Sequence, residues 1–304
     1  MKSFALILAA FLIAGPPAVV AADLEETYNQ LKEAAPQKDP ATVKKLAVSL
    51  FDYTTPALAT PAPADAAEKE DWSKRMAYYR DIQTFTEYTL YSVAAQAPPE
   101  ACLDLLRTLE QVSPKSKYMD FAYPVYFQAL TKTGAADKIP AVAENALKNL
   151  PENEDLLAVL AESAYMKKDS AKALAYSEKV TAVLSKHAKP EEMAEADWQR
   201  KRGAALGRAY FIAGMLYAEK QQHVQTDRSL RAALPFIKGN DAMMGPALFY
   251  LGIANYQLGT MTNTKAQVAA GATFSEQSAA IKGDYSTQAW RNAQAMRDAA
   301  AKMR

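Results

Sequence analysis

Residues 154–184 read EDLLAVLAESAYMKKDSAKALAYSEKVTAVL. Two amphipathic helices are predicted here, joined by the polar turn Lys167-Lys168-Asp169. Leu156, Leu157, Leu160, Ala161 and Ala164 recur at three- and four-residue steps, and Ala173, Leu174, Tyr176, Val180 and Val183 repeat the pattern. Each helix therefore has one apolar face. A hairpin of about 30 residues cannot cover both faces by itself, so similar hairpins must flank it.

Working outward, the spacing of turn residues supports such copies. Pro114 and Pro151 close successive units 37 residues apart, and Gly134 and Lys168 occupy equivalent turns 34 apart. Gly214 and Gly252, each in a first helix, lie 38 apart. Toward the N-terminus, helices are expected over residues 120–132 and 135–150, and over 100–112 after Pro98-Pro99. A long helix over 68–96 carries Trp72, Tyr78, Tyr79, Phe85, Tyr88 and Tyr91 without a proline or glycine. Toward the C-terminus, a charged insertion at 185–195 precedes helices over 191–220 and 224–237, then 242–258 and 264–281. A final helix over 285–303, polar and alanine-rich on one side, suits a cap on the last apolar face.

Before residue 68 the reading changes. A short polar helix is expected over 23–35, then one from Asp39-Pro40 to about Tyr53, with Asp39 capping and Pro40 in the first turn. Residues 54–67, TTPALATPAPADAA, carry three closely spaced prolines and read as an extended linker. The first 22 residues have the form of a secretory leader: Lys2, an apolar stretch, and Val20-Ala21-Ala22 before Asp23. A short apolar stretch broken by Gly15-Pro16-Pro17 argues against a membrane anchor. The expected division is thus a signal peptide (1–22), N-terminal helices and linker (23–67), a repeat domain (68–282) and a capping helix (283–304). With cleavage after Ala22, the protein is expected to be periplasmic or secreted, with no integral membrane segment remaining.

Composition narrows the function. Half the residues are hydrophobic, which excludes a disordered chain. Without Lys2, 34 basic residues balance 34 acidic ones, so no nucleic-acid partner is expected from charge. Cys102 is the single cysteine, excluding an internal disulfide, and its helical context makes it a small core residue. There is no glycine-rich phosphate loop, metal-ligand spacing or nucleophile elbow. No catalytic residue, metal or cofactor is expected.

The repeats resemble the tetratricopeptide repeat family. Ala213-Gly214-Met215-Leu216-Tyr217 supplies the family's Gly and Tyr, and Leu251-Gly252 its opening pair, with Asn255 where Tyr is usual. Leu160-Ala161 and Ala164 fill the first-helix places of the third hairpin and Ala173 the small place of its second helix, Cys102 takes that small place in the first hairpin, and Ala146 with Pro151 end the second. The resemblance covers roughly residues 83–282. It implies an all-α fold, an α-solenoid of stacked helical hairpins forming a right-handed superhelix. Its concave face would hold a protein or peptide segment of the cell envelope. By register that face would present Tyr91, Gln128, Glu162, Tyr165, Arg208, Phe211, Met215, Ile253, Tyr256 and Gln257. The leading expectation is a non-enzymatic protein-binding scaffold or adaptor. The alternatives are an accessory or catalytic cell-envelope enzyme, or a small-molecule carrier using the aromatic helix at 68–96.

Overall fold

The computed structural model describes residues 18–190 and 193–303, and side chains from Asp23 onward. Most of the expected leader, and Glu191 and Glu192 of the insertion, lie outside the described residues. Thirteen α-helices, and no β-strand, occur among those described. No helix among them is long and apolar enough to cross a membrane. The chain divides into two compact units, residues 1–136 and 137–304.

The first unit holds α1 (Ala18–Ala34), α2 (Pro40–Leu58), α3 (Ala66–Ala94), α4 (Pro99–Val112) and α5 (Lys117–Lys132). Asp39 caps α2 as expected, accepting from the N–H groups of Ala41 and Thr42 at 3.2 and 3.3 Å, with Pro40 in the first turn. Half of the expected linker at 54–67 is helix, while residues 59–65, with Pro61 and Pro63, lie outside helix as expected. Helix α2 runs on to Leu58 through Pro56, and only residues 59–65 separate it from α3. Pro56 removes a single late hydrogen bond, which a tertiary anchor offsets. Gln83 of α3 donates to the Thr54 and Thr55 hydroxyls at 3.0 and 3.2 Å. Helix α2 packs on α3 and α4, and α1 and α2 fall in the same compact unit as α3–α5.

Most rings of α3 serve this packing. Tyr28 of α1 meets Tyr78 and Phe85, Tyr53 of α2 meets Tyr79, and Tyr118 of α5 meets both Tyr88 and Tyr91. Cys102 is buried as expected, and burial pushes its thiol above its ordinary value. The opposite trend, a lowered value, marks reactive cysteines.

The second unit holds α6 (Ile139–Ala146), α7 (Glu154–Met166), α8 (Ser170–Leu184), α9 (Glu195–Glu219), α10 (His223–Ile237), α11 (Asp241–Met261), α12 (Lys265–Ala279) and α13 (Ser286–Lys302). Helix α6 is shorter than the expected 135–150, because Pro140 fixes its first turn after a 3-10 turn at Ala136–Lys138. The hairpin at 154–184 forms with the predicted bounds and turn. Helices α7 with α8, α9 with α10 and α11 with α12 pair as neighbours, and α8 packs on α9, α10 on α11, α12 on α13. The odd-numbered helices also touch in series, α7 to α9 to α11 to α13, whereas α8, α10 and α12 meet one another little or not at all.

The hairpin turns share one backbone device. Lys168, Gln221 and Asn263 adopt positive φ at the three turns of the second unit, as Gly134 does after α5. The following N–H reaches back five residues each time: Asp169 to Ala164, Gln222 to Tyr217 and Thr264 to Gly259, and likewise Ala135 to Leu130, at 2.7–2.9 Å. These are Schellman closures, which satisfy helix-end carbonyls that otherwise lack partners.

Candidate functional site

Within the second unit, the apolar stripes meet in a cluster containing Ala164, Ala173, Ile212, Leu216, Leu230, Ala233, Ala247 and Leu251. Helices approach closely here because glycines face them. A Cβ at Gly252 would lie 2.2 Å from the Ser275 hydroxyl, and one at Gly271 would lie 2.8 Å from the Gly252 carbonyl oxygen. The Asn255 side chain is buried and joins α11 to α10. Its amide donates to Asp227 at 2.6 Å and to the Leu251 carbonyl at 2.9 Å, and Arg231 bridges to both Asp227 and Asn255. Such a satisfied network fixes the register of the two helices.

The ten residues expected on one binding face separate into several settings. Phe211 and Met215 are buried in the cluster just described and are unavailable to a partner. Helix α9 is flanked by α7, α8, α10 and α11, so the stripe carrying these two side chains is consumed by core packing. Tyr256 shares the stripe of Gly252 and Gly259, and its backbone lies against Gly271 of α12, so its helix surface is turned to that neighbour. Arg208 pairs with Glu162, and its other terminal nitrogen lies 3.9 Å from the Met243 sulfur. Tyr165 packs half-buried against the core. Tyr91 and Gln128 belong to the first unit, where Tyr91 stacks on Tyr118 and Gln128 is exposed on α5.

Ile253 and Gln257 do come together. With Ala218, Gln221, His223, Thr226, Tyr250 and Ala254 they line a cleft of about 310 Å³ where the α9–α10 turn meets α11. Tyr250 forms its aromatic side. Its ring meets Phe249 at 5.2 Å and Tyr285, just ahead of α13, at 6.0 Å, and Phe249 and Tyr285 lie 5.0 Å apart. Burial pushes the Tyr250 phenol up, and Tyr285, the Glu219 carboxylate and Tyr165 add to the shift. Burial does the same to Tyr165, reinforced by Glu219 and Tyr285 and opposed by Arg208. Tyr165, Tyr250 and Tyr285 thus share one electrostatic neighbourhood with Glu219, although they come from α7, α11 and the connection before α13.

Phe249, Tyr250, Tyr285 and Glu219 were missed by the sequence reading. Register put Tyr256 in the face with Ile253 and Gln257, whereas the cleft takes Tyr250 beside those two. Tyr285 falls in a connection, where helical spacing carries no signal.

A second cleft, of about 320 Å³, lies between α8, α9 and α10. There the Tyr217 hydroxyl donates to Glu178, an interaction that, with burial, pushes the phenol up to about 12. No group of three or more metal-ligating side chains occurs among the described residues.

No protein-family model matches the chain, and no curated protein matches it at a significant level.

Proposed function

We propose that the protein is an exported, non-enzymatic scaffold whose second unit is a tetratricopeptide-like stack of hairpins. Its odd-helix face holds an extended segment of another cell-envelope protein. The observation that carries this reading is the half-buried Tyr250, which lines the cleft with Ile253 and Gln257 and meets the half-buried rings of Phe249 and Tyr285. Half-buried aromatics offer large contact area at low entropic cost, and glutamine amides can pair with the groups of a peptide backbone. The helix contacts support the same side. Odd helices that touch in series, beside even helices that scarcely meet, favour a stack curved with the odd layer inside.

A photo-reactive residue in place of Gln257 tests this in cells, with the exposed Thr273 position of α12 as control. The expected outcome is one dominant adduct from position 257, mapped to a single segment of its partner, with a synthetic copy of that segment binding the purified chain. Equal adducts from both positions, or none at 257, would end the proposal.

A further inference from the structure

Helices α8 and α10 meet little or not at all, so a trough is left between them with α9 beneath, and the same holds for α10 and α12 over α11. The two troughs are filled differently. Ala213 of α9 and Asn255 of α11 hold the same place, each four residues before the carbonyl that closes its turn, at Tyr217 and Gly259. Over α11 the Asn255 amide and its partners Asp227 and Arg231 occupy the trough, and the Arg231 guanidinium lies 5.0 Å from the centre of the Phe274 ring of α12. Over α9 the buried lining is only Ala213 and Ser177, with Ala182 and Ala232 beside them, and the cleft of about 320 Å³ stays open.

The cleft's own groups define what fits it. At its floor the Ser177 hydroxyl is fully buried and has no hydrogen-bond partner among the described residues. A sealed hydroxyl left unpaired costs stability that a polar ligand atom restores. Its more exposed lining holds one acid and one base that do not pair with each other. The Glu178 carboxylate accepts from the Tyr217 hydroxyl, and Arg228 has no ion-pair or hydrogen-bond partner among the described residues. The neighbouring charges stay out, because Asp227 and Arg231 pair with each other and Lys179 does not line the cleft. A lone cation would meet Arg228 and a lone anion Glu178, so a neutral ligand is favoured. Ser177, Tyr217, Gln225 and Ser229 can each donate and accept, which matches a ligand whose own hydroxyls do both.

We propose that this cleft binds a neutral sugar, its hydroxyls spanning the gap between Glu178 and Arg228 and Tyr210 and Tyr217 forming its aromatic side. A sugar ring has polar edges and C–H faces, so it needs both hydrogen-bonding groups and an apolar surface within one small space. The cleft lies at the small end of ligand sites, with room for roughly one or two sugar rings. It uses α8, α9 and α10 and does not depend on the odd-helix face holding a protein segment.

The test is an NMR titration of the full chain with ring-labelled tyrosines. The probes are the methyl glycosides of glucose, galactose and N-acetylglucosamine, with Nα-acetyl-alanine methylamide and free glycine as controls. At least one glycoside should shift Tyr210 and Tyr217 but not Tyr250, binding roughly fivefold more tightly than either control and equally well at low and high salt. Arg228→Met should weaken that glycoside roughly tenfold. Ser177→Ala should weaken it roughly threefold while raising the melting temperature, since an unpaired hydroxyl is removed. A residue with a purely structural part would not show those opposite signs. Ala182 is exposed, so Ala182→Phe should fill the cleft and abolish binding while the melting curve stays that of the wild type. No glycoside binding, a control binding as tightly as the best glycoside, or glycoside binding that survives Ala182→Phe would overturn the site. Trapping from position 257 should be unchanged in Ala182→Phe, so either reading can fail while the other stands.

Discussion

Between the helices of residues 1–136 the space is filled by tyrosine, whereas in residues 137–304 it is often closed by leaving the side chain out. In the first unit nine tyrosines serve five helices, and among the described residues Gly134 is its single glycine, placed in a turn. In the second, Gly207, Gly214, Gly252, Gly259 and Gly271 sit inside helices at places where a Cβ would come within 3.0 Å of a neighbour. Rings tolerate varied crossing geometry, because edge-on and tilted pairs are both favourable. Glycine contacts demand one separation and one register. The difference follows the packing: α7, α9, α11 and α13 touch in series, while in the first unit α2 meets α4 and α3 meets α5, so both parities touch. Glycine sets the separation where α9 meets α10 and α11 meets α12.

The strongest way to break this comparison is Gly271→Ala. The new methyl would meet the Gly252 carbonyl oxygen at 2.8 Å and the Tyr256 nitrogen at 2.9 Å, both backbone atoms that cannot rotate away. Parting α11 from α12 should cost about 3 kcal/mol, at the upper end of overpacking. Hydrogen exchange should show lost protection in α11 and α12 with α2–α4 unchanged. Wild-type protection in α11 and α12 would mean that the close approach is not what fixes the spacing.

A second contrast concerns half-buried charge. In the second unit Glu154, buried at the start of α7, meets Lys201 at 2.7 Å, and Lys201 also meets Asp155 at 2.7 Å. His187 approaches Glu154 at 3.3 Å. Burial alone would push the Glu154 carboxyl up, but Lys201, the helix-start backbone and His187 carry it below the ordinary value. A depressed carboxyl contributes stability above its unfolded pKa of about 4.3, lost as pH falls through the folded value. Lys201→Met should cost about 2 kcal/mol at pH 7, less than a fully buried pair because the lysine side chain keeps 24% exposure. With the cation gone, burial governs Glu154, so the penalty should shrink on going to pH 4 in urea melts. A penalty that is constant with pH would show that packing, not charge, is what Lys201 supplies.

How much of this could be read beforehand depends on what the signal was made of. The hairpin at 154–184 was legible because stripes, turn and caps all agree there, and Gly134 and Lys168 do occupy equivalent turns. Residues 54–58 misled because proline reports local cost, while the Gln83 bonds that hold the end of α2 come from a different helix. Phe211 and Met215 misled for a related reason. Register gives the direction of a side chain but not how many neighbours crowd that side, and α9 has four. The aromatic group at the cleft was missed, since Tyr250 and Tyr285 become neighbours through α11 and the connection to α13.

The smallest effect sharpens the comparison from the first unit. Glu110 of α4 is half-buried and accepts a hydrogen bond from the Tyr123 hydroxyl at 3.2 Å. Here burial prevails over Tyr123 and Arg107 and leaves the carboxyl above its ordinary value, the reverse of Glu154. A raised carboxyl favours the fold below its unfolded pKa, and that contribution is lost as pH rises through the folded value. Glu110→Gln keeps an oxygen to accept from Tyr123 while removing the charge. It should therefore stabilise the first unit at pH 7 by on the order of 0.5 kcal/mol, with no gain below about pH 4. Exchange rates in α4 and α5 at the two pH values measure this. Destabilisation at pH 7 would mean that the Arg107 attraction outweighs burial, and the two units would then treat their half-buried acids alike.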